Sequence, residues 1–298
     1  MSATTSEAAG GAVAVTPQAV TVLGAGTMGA GIAQACAAVG HAVTMVDADE
    51  AALERGRTAI QTSLARLVRK GTLDQPAAER IASHVTTSVE RAAALAEADV
   101  VVEAVTEDLG VKRALWAEIG AHAGPGALLA TNTSSLSVTE IAGFGGHPER
   151  TCGLHFFNPV PVLPLVEVVR GERTSDATLQ RAVAFASGLG KTPIVCRDTP
   201  GFIVNRLLIP YVNDAVHALA EGVADPTDID AAMKLGANLP IGPLALADLI
   251  GLDVTLAAIE SLHRETGDPR FRPAPLLRRL VRAGKLGRKT GEGIHRYP

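Results

Sequence analysis

The chain has three cysteines, Cys36, Cys152 and Cys196, an odd number spread widely and without a Cys-x-x-Cys pair. That scarcity argues against a disulfide framework and against a zinc site, so the expectation is three buried thiols and no bound metal. Long hydrophobic runs are also missing. No uninterrupted apolar stretch approaches the ~20 residues needed to cross a bilayer, which excludes a helical membrane span. The segment through Pro17 is small and polar, without a basic start followed by an apolar core. It reads as a disordered tail over 1–17 rather than a signal peptide, and a cytoplasmic location is the corresponding expectation. An excess of positive charge is missing too: the net charge is −4, which disfavours nucleic acid as a partner. The locally basic stretch of Arg278, Arg279, Arg282, Lys285, Arg288 and Lys289 is read mainly as a solvated helix face.

What remains is ordinary for a globular α/β protein, with 47% hydrophobic and 19% charged residues. At 298 residues, the prior of ~150 residues per domain suggests two domains. The most informative run is Val20-Thr21-Val22-Leu23-Gly24-Ala25-Gly26-Thr27-Met28-Gly29, a β-branched strand entering Gly-x-Gly-x-x-Gly ahead of an Ala-rich helical segment. Glycines between a strand and a helix let backbone N–H groups approach a pyrophosphate at the helix N-terminus. Gly24 permits the tight turn, Gly26 the close approach and Gly29 the packing of helix on strand. A second apolar run, Ala42 to Val46, ends in Asp47, eighteen residues beyond Gly29, where an acid can accept from a ribose hydroxyl. Asp49 and Glu50 lie beside it and no Arg immediately follows, so a 2′-phosphate is repelled and NAD is favoured over NADP. The plainer alternative is that the glycines only turn a strand and Asp47 only caps the next helix.

Helical segments alternate with short apolar runs to about residue 197, after which the pattern is helical. Asp99 to Val105 and Ala127 to Ala130 are continuous apolar runs of the kind central parallel strands show. Residues 49–71 form an Arg- and Lys-rich helical arm too long for a minimal crossover. Thr151–Leu154 and Leu165–Val169 read as antiparallel partners around the turn Asn158-Pro159-Val160-Pro161, making that edge of the sheet mixed. Helix starts are expected at Pro200-Gly201 and Asp225-Pro226, with breaks at Gly236, Gly242 and Gly251. The expected fold is a doubly wound, mostly parallel Rossmann-type sheet over 18–199 followed by an all-α domain over 200–298.

Three clusters fall where such a sheet binds ligands, at the carboxyl ends of strands. Thr131-Asn132-Thr133-Ser134-Ser135 follows a strand and can aim donors at a substrate oxygen, or can simply form a cap and turn. His155 ends a strand beside Phe156 and Phe157. A lone His is more often structural, but Glu167, twelve residues on in the returning strand, is costly to bury without a partner, and a His across the hairpin is the natural one. A carboxylate held against one imidazole nitrogen fixes the tautomer and leaves the other to take a proton from an alcohol. Asn205 sits in an otherwise apolar helical stretch and needs partners, whether a substrate oxygen or backbone carbonyls.

These residues, together with Glu103-Ala104 followed by Glu107 and Lys112, the runs TNTSSLS, HFFNPVPV, LVEVV, DTPGFIVNRLLIPY, AMKLGAN and IGPLALADLIGLD, and the closing GRKTGEGIHRYP, resemble the short-chain L-3-hydroxyacyl-CoA dehydrogenase family, which includes 3-hydroxybutyryl-CoA dehydrogenases. The likeness runs from about Val20 to Tyr297. It implies NAD-dependent, reversible oxidation of a short L-3-hydroxyacyl-CoA to the 3-oxoacyl-CoA, in fatty-acid β-oxidation or butanoate metabolism. It further implies a helical domain that completes the acyl cleft and forms a homodimer. By resemblance His155 is the base and Glu167 its orienting acid, Ser134 and Asn205 hydrogen-bond the substrate's oxygens, and Asn158 helps to hold the site. Asp47, Glu107, Lys112 and Asn132 join Gly24, Gly26, Thr27, Met28 and Gly29 on the cofactor side, while Ser63 and Lys70 fall near coenzyme A. The arm departs most from the family, with Arg66, Arg69 and Lys70 leading into the short Gly71-Thr72-Leu73 connection of bacterial members. Two other readings are compatible with the pattern: a dehydrogenase of the same architecture acting on a free 3-hydroxy acid or a carnitine-like alcohol, and a non-catalytic, crystallin-like NAD-binding protein.

Overall fold

The computed structural model describes residues 16–297, so the tail expected over 1–17 lies almost wholly outside the described residues. Eight strands, β1 (Ala19–Leu23), β2 (Ala42–Val46), β3 (Val85–Ser88), β4 (Val100–Glu103), β5 (Leu128–Thr131), β6 (Thr151–Phe156), β7 (Leu165–Arg170) and β8 (Thr192–Arg197), form one sheet in the order β3-β2-β1-β4-β5-β6-β7-β8. Pairing from β3 across to β6 is parallel and β7 runs antiparallel to β6, as the sequence pattern predicts. Chain order reverses between β1 and β4, which places the switch point of a doubly wound sheet at the end of β1. β4 and β5 are buried at every residue, the reason their sequences read as unbroken Val and Leu rather than alternating.

The helices follow from their compositions. α1 (Thr27–Ala38) buries eight of its twelve residues, mostly Ala and Gly, because only small side chains let a helix be covered on nearly all sides. α2 (Glu50–Arg69) is the predicted arm. It buries Leu53, Gly56, Ile60 and Leu64, a single stripe at helical spacing, and leaves its cations outside. Asp49 caps it by accepting from the N–H of Ala51, and Arg66 and Arg69 in the last turn complement the helix dipole. Thus the cap expected of Asp47 in the plainer reading falls to Asp49. α3 (Gln75–Ser83), α4 (Arg91–Ala96), α5 (Leu109–His122), α6 (Val138–Phe144) and α7 (Asp176–Gly188) complete the sheet's helical layers.

The chain divides into two compact units, one of the described residues up to Thr133 with Val138–Val195, the other of Ser134–Ser137 with the residues from Cys196 onward. The second unit contains α8 (Val204–Ala220), α9 (Pro226–Gly236), α10 (Pro243–Ile250), α11 (Leu252–Thr266) and α12 (Pro275–Arg282) around a core that includes Val212, Leu244, Leu252, Ile259 and Leu277. Asp225, Gly242 and Gly251 stand at helix starts, as their residue types suggest. Two buried carboxylates stitch the segment around Ile294 to Tyr297 onto this core. Asp248 accepts from the N–H groups of Ile294 and His295 and from the Tyr297 hydroxyl, and Asp230 accepts from the N–H groups of Leu244 and Ala245 and pairs with His295 at 2.8 Å. The basic stretch read as a solvated face is instead partly paired: Arg278 with Glu260, Lys285 with Glu292 and Lys289 with Asp253.

Candidate active site

The glycine turn has the geometry that its three roles require. Gly24 has φ +103°, and a Cβ there would stand 2.7 Å from the carbonyl oxygen of Ala104. A Cβ on Gly29 would lie 1.8 Å from the carbonyl oxygen of Gly24, so the first turn of α1 can pack on the strand end only without a side chain. Gly26 differs, since a Cβ there would meet no protein atom within 4 Å. Its bareness serves nothing in the fold and leaves room for a group outside the protein, at the N-terminus of α1, where backbone N–H groups favour a phosphate. The turn therefore fits a dinucleotide. Asp47 closes it from β2: its carboxylate accepts from the N–H of Ala25 at 2.9 Å and from that of Asp49 at 3.2 Å. Thr27 is exposed at the start of α1 and Met28 is half-buried behind it.

His155 and Glu167 are direct partners in the β6–β7 register, so antiparallel pairing puts both side chains on the same face. Nδ1 of His155 lies 2.7 Å from Oε2 of Glu167, with the two residues 5% and 0% exposed. The Phe157 ring stands 4.5 Å from the imidazole centroid. A carboxylate this deep is tolerable only with a donor, and the pair satisfies both groups. With Nδ1 engaged, Nε2 is the nitrogen that can exchange a proton. Asn132 bridges the ends of neighbouring strands: its N–H donates to the Glu103 carbonyl and its side-chain oxygen accepts from the N–H of Phe156. Asn158 is exposed in the loop after His155.

A chain of polar groups runs beneath this surface. Glu103, fully buried at the end of β4, accepts from Lys112 Nζ at 2.6 Å, the Val105 N–H at 2.9 Å, Trp116 Nε1 at 3.2 Å and Thr131 Oγ1 at 2.7 Å. Lys112, 1% exposed, reaches Glu107 at 3.5 Å, and Glu107 accepts from Thr133 Oγ1. Glu107 and Lys112 are thus brought together, with the lysine turned inward.

Ser134 and Asn205 also meet, within the second unit: Asn205 Nδ2 donates to the Ser134 carbonyl at 3.4 Å. Ser135 accepts from Ser261 and Ser137 donates to Asp198, which is why Ser134–Ser137 packs with the helical unit although the sequence joins it to the strand run at Thr131. In the first unit a cavity of about 520 Å³ is lined by the glycine turn at Gly26 and Thr27, by Arg55, Ser63 and Arg66 of α2, and by Asn158–Pro161. Lys70, exposed at the end of α2, is not part of this lining.

Comparison with known proteins bears on the whole length. Residues 19–199 match the 3-hydroxyacyl-CoA dehydrogenase NAD binding domain and residues 201–297 the 3-hydroxyacyl-CoA dehydrogenase C-terminal domain. The chain belongs to the 3-hydroxyacyl-CoA dehydrogenase family. Among members of the family, it is 47% identical over 277 residues to a probable 3-hydroxybutyryl-CoA dehydrogenase of Deinococcus radiodurans, covering 93% of this chain and 99% of that one. It is 44% identical to the mitochondrial hydroxyacyl-coenzyme A dehydrogenase of Sus scrofa, with 98% and 95% covered. The crystal structure of (S)-3-hydroxybutyryl-CoA dehydrogenase PaaH1 from Ralstonia eutropha superposes with a TM-score of 0.90 at 46% identity, covering 95% of this chain and all of that one. As a 3-hydroxyacyl-CoA dehydrogenase, the protein binds NAD. The role of Glu103 as the hub of a buried network escaped sequence reasoning, although one signal was present: a carboxylate closing an otherwise wholly apolar strand needs partners.

Proposed function

We propose that this enzyme catalyses the NAD-dependent, reversible oxidation of a short L-3-hydroxyacyl-CoA, such as 3-hydroxybutyryl-CoA, to the 3-oxoacyl-CoA. The observation that carries the proposal is the pair of His155 and Glu167, an imidazole and a buried carboxylate 2.7 Å apart at the carboxyl end of β6. Glu167 orients the ring and stabilises its cationic form, and Nε2 of His155 takes the proton of the 3-hydroxyl group, a contribution of roughly 10²–10⁴-fold. When bound, NAD supplies the hydride acceptor. Ser134 and Asn205 hydrogen-bond the substrate's oxygens, and Asn158 holds the arrangement. Asp47, Glu107 and Asn132 face the cofactor, with Lys112 acting through Glu107. Ser63 faces the coenzyme A moiety, with Lys70 at the outer end of the same helix. On this assignment residues 18–199 bind NAD and 200–298 bind substrate and a second copy. Exposed apolar side chains on the helical unit, among them Leu207, Leu235 and Leu249, support a homodimer, to be checked by light scattering. Three cysteines outside any disulfide suit a reducing compartment such as the cytoplasm, which cell fractionation would check.

The test is turnover of acetoacetyl-CoA with NADH, followed at the nicotinamide absorbance. His155→Gln is expected to lower turnover by about 10²–10⁴-fold with NADH affinity unchanged, and Glu167→Gln to reshape the pH–rate profile. Turnover of free 3-oxo acids but not of the thioester would move the substrate outside coenzyme A chemistry. NADH binding without turnover of either would make the protein a non-catalytic binder.

A further inference from the structure

The loop that follows His155 is held by a lysine from a distant part of the first unit. Lys191 lies in the turn between α7 and β8, and its ammonium donates to two carbonyls of that loop, Val160 at 2.5 Å and Leu163 at 2.9 Å. No carboxylate among the described residues forms an ion pair with it. Burial holds its pKa below the usual lysine range. Inside the loop, the N–H groups of Val162 and Leu163 both donate to the Pro159 carbonyl, making one tight turn, and Lys191 holds a carbonyl within it, that of Val160, and one at its exit, that of Leu163. The opposite side of the loop is seated on the cofactor helix. Val160 is 2% exposed, and a Cβ on Gly31 of α1 would stand 3.0 Å from it. Asn158 to Pro161 therefore form one wall of the cavity whose other walls are the glycine turn and α2, and the position of that wall is set at two points, Gly31 and Lys191.

We propose that Lys191 is a positioning residue for the acyl-CoA substrate: by clamping Val160 and Leu163 it sets the distance between the Asn158–Leu163 wall and α1, without touching substrate, cofactor or His155. This deepens the dehydrogenase reading and rests on it for the identity of the ligand. A lysine suits the task because its ammonium carries three donors at the end of a long stem, enough to hold two diverging carbonyls at once. Loss of the clamp loosens substrate binding more than chemistry, because the His155–Glu167 pair is fixed by the β6–β7 ladder and not by the loop.

The experiment has two readouts. Hydrogen exchange on the whole protein, without substrate, is expected to show faster exchange over residues 157–164 in Lys191→Met and near-normal exchange in Lys191→Arg, which retains several donors. In steady-state assays with acetoacetyl-CoA, Lys191→Met should raise KM about tenfold, with a smaller fall in kcat and an unchanged pH–rate profile. Lys191→Arg should recover most of the loss. Gly31→Ala, which pushes on Val160 from the other anchor with the clamp intact, should give the same KM signature and serves if Lys191→Met does not fold. Unaltered exchange in the loop for both variants, or a loss confined to kcat with a shifted pH profile, overturns the proposal. Failure of the wild-type protein to use the thioester would instead count against the dehydrogenase reading and leave the exchange result to decide the clamp.

Discussion

Lys112 donates to Glu103 at 2.6 Å with both side chains sealed from solvent, and this bond joins the end of β4 to the first turn of α5. Removing one member of such a pair leaves the other charge buried and uncompensated, which costs about 3–5 kcal/mol. Lys112→Met is therefore expected to lower stability by that amount, read as a reduced urea midpoint. Because Glu103 also holds Thr131, the same variant should weaken NADH binding through the loop at Asn132. A midpoint equal to wild type would mean that the pair contributes nothing to the fold.

The second and third glycines of the turn make opposite predictions. Gly29→Ala places a methyl 1.8 Å from the Gly24 carbonyl oxygen, so the turn itself must break, with a large loss of stability and of NADH binding together. Gly26→Ala meets no protein atom and should alter the unfolding midpoint by no more than ~0.5 kcal/mol equivalent. It should nevertheless reduce NADH affinity by about 10–100-fold, the cost of overpacking a close contact by ~1–3 kcal/mol. Fluorescence titration and thermal melting of the two variants separate these outcomes, and tight NADH binding by Gly26→Ala would contradict the close approach assigned to that residue.

Burial pushes the thiols of Cys36 and Cys152 up to about 12, with the Lys191 ammonium pulling Cys36 slightly the other way. Both are neutral and shielded in the native protein. A thiol-reactive dye at pH 8 should modify at most one cysteine per folded chain and all three in denaturant. The sign of the pH effect follows from proton counting. Between about pH 9 and 12 the unfolded chain loses thiol protons that the folded chain keeps, so this contribution to stability is complete below pH 9 and declines above it. Urea midpoints from pH 8 to 10.5 should fall more steeply for the wild type than for the Cys36→Ala, Cys152→Ala double variant.

Much of the first unit can be read from residues because its signals are local. The strand before Gly24, the apolar runs of β4 and β5, and the arm of α2 each announce themselves within a dozen or so residues, and His155 and Glu167 sit on one short hairpin whose register forces them together. The contacts that could not be read are those that join distant segments. Glu103 draws its donors from Lys112, Trp116 and Thr131, and Lys191 reaches back some thirty residues to Val160. Nothing in the spacing of these residues encodes the meeting, which tertiary packing alone decides. The same holds for Asp230 and Asp248, which look like ordinary helix acids until Ile294, His295 and Tyr297 fold back upon them.

Asp47 has two duties at once. Its carboxylate supports the glycine turn through the N–H of Ala25, and on the proposed assignment it also faces the adenosine ribose. Selectivity and scaffold are consequently inseparable at this position. An engineer who replaces Asp47 to admit a phosphorylated nucleotide will also orphan an amide in the turn, and the redesign will succeed only if a neighbouring side chain is recruited to accept from it.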